Sequence, residues 1–483
     1  MKNKVIRNYM YTLAYQILIV ILPIITMPYV SRALGAENIG VYGFTVSVVT
    51  YFTLLCGFGI TKYGQREIAY VQSDRKKRSE IFWELCLIKL IAVLLFSIVF
   101  IIFFCTDKDY GLYYKILLLE IVAVFFDITW FFQGLEDFKK VVVRNIIVKI
   151  VSIAAIFIFV KSESDLLVYF WIYVISTLAG NVSLWVKLSK YVDKPNFKIV
   201  KLKRHVKPMF SLFIPQIAVS IYTVLDKTML GWLTNDMSEV GYYEQSQKII
   251  KLALTLVTTM SVVMMPRISN IFFNKDQKQM NKYMNMSFRF DWFMGSAVLF
   301  GVAAIAPTFV PWFFGDGYEK VISLLVYTSP VILIIALSST IGSQYLVSVK
   351  KQNVQTLAVV MGAAINVGLN FILIPHLDSI GAVIATVIAE TVITLVEIVY
   401  ICRHNMIKLG NIFKGWFGYI ISGVAMFGII RLLQNVMGVG MLATFVQIAS
   451  GGIVYCAILS LVHDDFIYYV LRMGVKIIKR RKV

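Results

Sequence analysis

Charge is scarce in this sequence. Of its 483 residues, 15% are Asp, Glu, Lys or Arg and 59% are hydrophobic, a balance that excludes an ordinary soluble chain and leaves an integral membrane protein of many spans. Histidine is rarer still. The four copies stand apart, with no HExxH and no Cys/His cluster, so no metal is expected. The five cysteines, Cys56, Cys86, Cys105, Cys402 and Cys456, lie in or at the ends of apolar stretches without paired spacing, which makes them packing residues rather than a disulfide framework. No GxxxxGKS or GxxxxGKT occurs, so no nucleotide is expected in a P-loop, and Ser, His and an acid meet in no catalytic motif. No cleavable leader is expected either: the first apolar run, 10–34, is too long and lacks a small-residue cleavage site. The reading is therefore of a non-enzyme without a cofactor.

Apolar runs of membrane-spanning length are abundant instead. They fall at 10–34, 38–60, 81–105, 113–133, 142–162, 166–188, 208–232, 240–265, 287–314, 320–348, 355–374, 380–402, 412–434 and 441–463. All are expected to be helices, because open sheet edges do not survive in lipid. The chain is thus predicted to be an all-α integral membrane protein with 14 transmembrane helices. Its net charge of +20 is explained by where the basic residues lie. They concentrate in alternate connections, from Lys62 to Arg78, Lys139 to Arg144, Lys187 to Lys207, Arg267 to Arg289, Lys350 to Lys351 and Arg403 to Lys414. This is the positive-inside pattern, so no nucleic-acid partner is needed and both termini are expected in the cytosol.

An internal repeat supports two lobes. Leu34-Gly35 followed by Gly40-Val41-Tyr42 is echoed by Leu230-Gly231 followed by Gly241-Tyr242-Tyr243, and both entering spans carry prolines, Pro23 and Pro28 in one, Pro208 and Pro215 in the other. Six spans separate the copies, an even number, so the repeat is parallel. Broken helices at matching positions of two repeats point to a transporter's binding site and hinges. The expected organisation is an N-terminal lobe over 1–190, a basic cytosolic linker over 191–207, a second six-helix lobe over 208–402, and two extra C-terminal helices with a basic tail over 403–483.

The stretch from Pro208 to Pro266 carries polar groups where a bilayer disfavours them. Gln216, Ser220, Thr223, Lys227 and Thr234 draw one stripe, flanked by Asp226; Glu244, Gln247, Lys248, Lys251, Thr255 and Thr258 draw a second. A lysine at mid-bilayer costs roughly 2.5 to 3.5 kcal/mol on insertion scales, which two facing stripes relieve if they line a hydrated, cation-lined cavity. The alternative is that these groups satisfy one another in a packed bundle. Elsewhere within spans stand Lys89, Glu120 and Asp127, Asn366 and Asn370 at i and i+4, and Glu390 with Glu397 one heptad on. Lys89, Gln247, Asn366 and Asn370 join the substrate-binding candidates. Glu120, Asp127, Asp226 and Glu390 serve either charge balance or coupling to a proton or sodium gradient, and the residues leave that choice open. Arg32, at the outer end of the first span, is an interfacial anchor or a gate contact.

Several short motifs in order carry a family likeness: Pro28-Tyr29-Val30-Ser31-Arg32-Ala33-Leu34-Gly35, Gln133-Gly134-Leu135-Glu136-Asp137-Phe138, Leu225-Asp226-Lys227, Met265-Pro266-Arg267, and Asn366 to Pro375 followed by Gly381-Ala382. With them the chain resembles, over nearly its whole length, a bacterial lipid-linked oligosaccharide flippase of the Wzx type, in the superfamily that also holds the multidrug and toxin extrusion exporters and the lipid II flippase. The resemblance implies a bacterial cytoplasmic-membrane protein with two lobes. Their central cationic cavity takes an undecaprenyl-diphosphate-linked sugar across the bilayer, with Arg32 and Lys227 as cavity or gate cations. It implies membrane lipids, and a glycan polymerase and glycosyltransferases of the same pathway, as partners. Fourteen spans rather than twelve resembles the lipid II branch. A drug exporter of the same fold predicts an acidic rather than a basic lining, while a membrane polymerase needs a sizeable outer loop, and each outer connection here is short.

Overall fold

The computed structural model describes residues 2–195, 201–234, 236–469 and 472, all-helical with intervening turns. By length and composition, 11 helical segments among them can cross a membrane. Two are far longer than one crossing: Leu18–Tyr70 with 53 residues and Gln352–Arg403 with 52. At about 1.5 Å per residue either outruns a hydrocarbon core of about 30 Å twice over. Each long segment turns at one residue within a helix, and the first breaks again at Phe58 and Gly59. The first turns at Gly35 (φ 72°, ψ 169°), a conformation that only a residue without Cβ adopts readily. The other turns at Asp378 (φ 51°, ψ −132°).

The chain divides into two compact units, residues 1–231 with 236–241, and residues 232–235 with 242–483. The first is built from α1 (Lys2–Gly57), α2 (Ile60–Tyr70), α3 (Arg75–Phe103), α4 (Gly111–Phe126), α5 (Thr129–Gly134), α6 (Phe138–Phe159), α7 (Leu166–Ser183) and most of α8 (Lys203–Leu233). Local chemistry sets the boundaries. Asp74 caps α3 by accepting from the Lys77 N–H at 3.0 Å, and that backbone hydrogen bond holds its carboxyl below the ordinary carboxylate value. The apolar run at 113–133 is not one helix but two: the backbone turns extended at Asp127, whose carboxylate accepts from the Thr129 N–H at 2.9 Å and starts α5.

Helix α3 shows what solvent the fold expects. Phe82, Leu85, Cys86, Lys89, Val93 and Phe100 are buried, whereas Ile91, Leu94, Leu95, Ile98, Ile101 and Ile102 are exposed at helical spacing. Such an inversion, apolar side chains out and a lysine in, suits a hydrocarbon surround. The unit's core on the basic-loop side is aromatic, with Phe82, Trp130, Phe131 and Phe132 packed together. At the start of α9 (Met237–Phe273), Gly241 meets α1. A Cβ on Gly40 would run into the Met237 carbonyl, and one on Gly241 into the Ala36 carbonyl. The two glycines of the sequence repeat therefore pack directly on each other.

The second unit continues with α10 (Gln277–Phe314), α11 (Glu319–Thr328), α12 (Pro330–Ser338), α13 (Gln352–Arg403), α14 (Leu409–Ile412), α15 (Trp416–Met437) and α16 (Met441–Leu461). Between α12 and α13 the backbone widens into a π-helical segment over Ser339–Leu346, a local departure of the kind found at functional positions. The core of this unit gathers Phe288, Trp292, Ile341, Tyr419 and Tyr455.

Candidate functional site

Within the first unit, α1, α3, α4 and α7 surround a pocket of about 330 Å³. Three of the intramembrane charges read from the sequence, Lys89, Glu120 and Asp127, line it together, with Thr50, Thr53, Tyr173, Thr177 and Asn181. Lys89 is 4% exposed. Its ammonium donates to the Asp127 carbonyl at 2.7 Å rather than to that residue's carboxylate, which is committed to capping α5. The helix break thus does two things at once: it frees a carbonyl and aims it at a buried cation. Glu120 is buried on α4 with its Oε1 lacking a hydrogen-bond partner, near Thr177 on α7. Asn181 anchors the same wall by donating to the Ala123 carbonyl at 2.9 Å. Such a pocket can hold an anionic group at Lys89, or a proton or small cation at Glu120.

The lysines on α9 are arranged differently. Lys248 pairs with Glu244 one turn earlier at 3.3 Å and is partly exposed, whereas Lys251 and Thr255 stand exposed along the same stripe. Gln247 is half-buried, its amide nitrogen without a partner. On α8, Asp226 is buried and Lys227 half-buried; the side chains of Gln216, Ser220 and Thr223 lie outside the described residues. Arg32 is exposed on α1.

In the second unit Asn366 and Asn370 are both fully buried and joined, Asn370 Nδ2 donating to Asn366 Oδ1 at 3.1 Å. Asn366 in turn reaches Thr386 at 3.5 Å. Glu390 is half-buried further along α13, and Glu397 is fully buried with Ser338 donating to it at 2.9 Å. The candidate residues therefore form one shared pocket around Lys89, one asparagine pair, and one stripe on α9.

Two buried groups escaped sequence reasoning. Glu84, 2% exposed, binds His205 at 2.7 Å and Arg204 at 2.5 Å, and Tyr63 lies 2.8 Å from the other nitrogen of His205. This cluster ties α2 and α3 to the first turn of α8. Asp291 is fully buried on α10 against Thr340. Both acids stand inside apolar runs, and that alone was a usable signal; their partners, far away in sequence, were not.

Comparison with known proteins fits this architecture. A protein of Escherichia coli (strain K12) named for O-antigen transport is 22% identical over 415 residues, covering 83% of this chain and 97% of its own. Among solved structures, the lipid II flippase MurJ in an inward closed conformation superposes with a TM-score of 0.73 at 18% identity, covering 96% of this chain and all of its own. An inward-facing multidrug resistance transporter of the MATE family superposes at 0.61 with 14% identity, over 80% of this chain and 94% of its own. The fold is thus shared with both kinds of transporter. Residues 5–272 match the family described as polysaccharide biosynthesis protein; the chain belongs to that family, as a multi-pass membrane transporter and not an enzyme.

Proposed function

We propose that the protein is a flippase moving a polyprenyl-diphosphate-linked oligosaccharide from the inner to the outer leaflet of a bacterial cytoplasmic membrane. The supporting observation is the stripe on α9. Lys251 lies 14 residues past Met237, about 20 Å along the helix axis, and it is exposed beside Thr255 rather than packed away. A diphosphate cannot cross hydrocarbon unaided, and an ammonium at that depth supplies the charge-assisted partner that lipid lacks. The relative named for O-antigen transport and the fold shared with a lipid II flippase favour the same substrate class.

Transport by alternating access follows from the parallel repeat, with lobes over 1–190 and 208–402 rocking about their prolines and the linker 191–207. Counting each double-length helix as two crossings and adding the 31-residue α8 brings the 11 segments to fourteen, two six-helix lobes plus α15 and α16. Moving two negative charges outward releases roughly 4 to 5 kcal/mol at about 100 mV, negative inside, enough to bias direction without ion coupling. A cation antiporter is the second reading, favoured by the unpartnered Glu120 oxygen in the Lys89 pocket; it predicts that Glu120→Gln abolishes export of an organic cation. The flippase reading predicts that Lys248→Gln with Lys251→Gln lowers surface glycan at least roughly tenfold while membrane levels of the protein stay normal. Normal glycan export in that double variant would remove the reading.

A further inference from the structure

A second cavity lies away from the Lys89 pocket, in a groove of about 700 Å³ between α6 and α7. Along the helices its lining is apolar and open: Val143, Ile147 and Val151 follow one another at i, i+4 and i+8 on α6, with Ile175 on α7, and all four are exposed. Its mouth is basic, with Lys139, Lys140, Arg144 and Lys187 around it. Of these, Lys140 is already engaged by Asp137 at 2.8 Å and by Tyr191. Lys139 and Lys187 are exposed.

Arg144 is the informative residue. It sits six residues into α6, about 9 Å from the basic end of the helix. Its Nε and Nη2 are buried and have no acceptor. The helices are close enough here that a Cβ on Gly180 would stand 3.3 Å from Arg144 Nη1, so the guanidinium lies against α7, within the field of Asp127 and Tyr15 but with neither Nε nor Nη2 hydrogen-bonded. Buried donors without acceptors are costly, and a guanidinium is matched best by a phosphate that takes two parallel hydrogen bonds.

The outer side of α6 faces hydrocarbon, since Ile147, Ile150, Val151, Ile158 and Phe159 are all exposed. An occupant can therefore enter sideways from the bilayer, with its head at the mouth and its tail in the trough. Basic pockets between transmembrane helices on the cytosolic side have the charge complement of anionic lipid headgroups, and the volume falls in the range of small-molecule sites.

We propose that this groove is a binding site for an anionic phospholipid of the inner leaflet, its phosphate held by Arg144 with Lys139 and Lys187 and one acyl chain lying along Val143, Ile147 and Val151. The occupant is a resident lipid, not the cargo.

The full-length protein is reconstituted in nanodiscs of phosphatidylcholine doped with phosphatidylglycerol, and the lipid retained after extraction is counted by native mass spectrometry. The wild-type protein should retain phosphatidylglycerol over phosphatidylcholine by roughly tenfold or more. Arg144→Gln with Lys187→Gln should erase that preference. Val151→Trp blocks the trough with the charges intact, at a side chain 60% exposed where folding is not at stake, and should also erase it. Unchanged preference in both variants overturns the proposal. So does displacement of phosphatidylglycerol by undecaprenyl diphosphate in a manner that requires Arg144, because the groove would then belong to the cargo.

Discussion

At the scale of single residues, the molecule separates charges that matter from charges that do not. Glu84 is 2% exposed and holds both Arg204 and His205, whereas Arg66 and Glu67 form a partly exposed pair of neighbours at 3.0 Å. Removing one partner of a buried ion pair strands the other, while an exposed pair contributes little after screening and side-chain entropy. Glu84→Ala, which strips the buried His205 ring of its partner while the half-exposed Arg204 turns to solvent, is therefore expected to lower unfolding stability in detergent by roughly 1 to 3 kcal/mol, and Glu67→Ala by less than about 1 kcal/mol, both read by thermal unfolding. Equal effects would show that the Glu84 cluster is not load-carrying in the fold. Lys89 illustrates what a sequence can and cannot say. A lysine amid Leu, Ile and Val announces a polar neighbour by composition alone. That the neighbour is the carbonyl of Asp127, freed by a helix break, could not be read from spacing, because Glu120 and Asp127 at i and i+7 suggest an unbroken helix.

At the scale of elements, hydropathy fixes where helices run but not where they bend. The apolar runs at 10–34 and 38–60 emerge as one helix turned at Gly35, and those at 355–374 and 380–402 as one turned at Asp378. The i and i+4 spacing of Asn366 and Asn370 places them on one face, read as open to a substrate; in the structure Asn370 donates to Asn366 instead. The π-helical segment Ser339–Leu346 was not legible: its Ser339, Thr340, Gly342 and Ser343 weaken a helix without saying which irregular form replaces it. The contact between Gly40 and Gly241 gives the repeat a physical reason: two backbones approach until only hydrogen fits. Gly40→Ala should destabilise by about 1 to 3 kcal/mol, because the obstacle is the Met237 carbonyl and cannot rotate away. Gly368→Ala, which meets open space on α13, should instead stabilise by up to about 1 kcal/mol through helix propensity. Thermal midpoints of the two variants moving in the same direction would contradict this packing.

At the scale of the whole molecule, the scarcity of charge and the alternation of basic and neutral connections declare a polytopic membrane protein before any coordinate is known, and the family match and the shared fold agree. The identity of the cargo is harder to read, because a few cations serve any phosphate and the glycan leaves no motif. The central claim is that the α9 lysines escort a diphosphate headgroup through the bilayer. Its most direct test is the transbilayer movement of a fluorescent polyprenyl-diphosphate-linked glycan in proteoliposomes of purified protein. The wild-type protein should speed that movement well above protein-free vesicles, and the Lys248→Gln, Lys251→Gln variant should return it to background; wild-type vesicles no faster than empty ones, or a double variant as fast as wild type, would contradict the account.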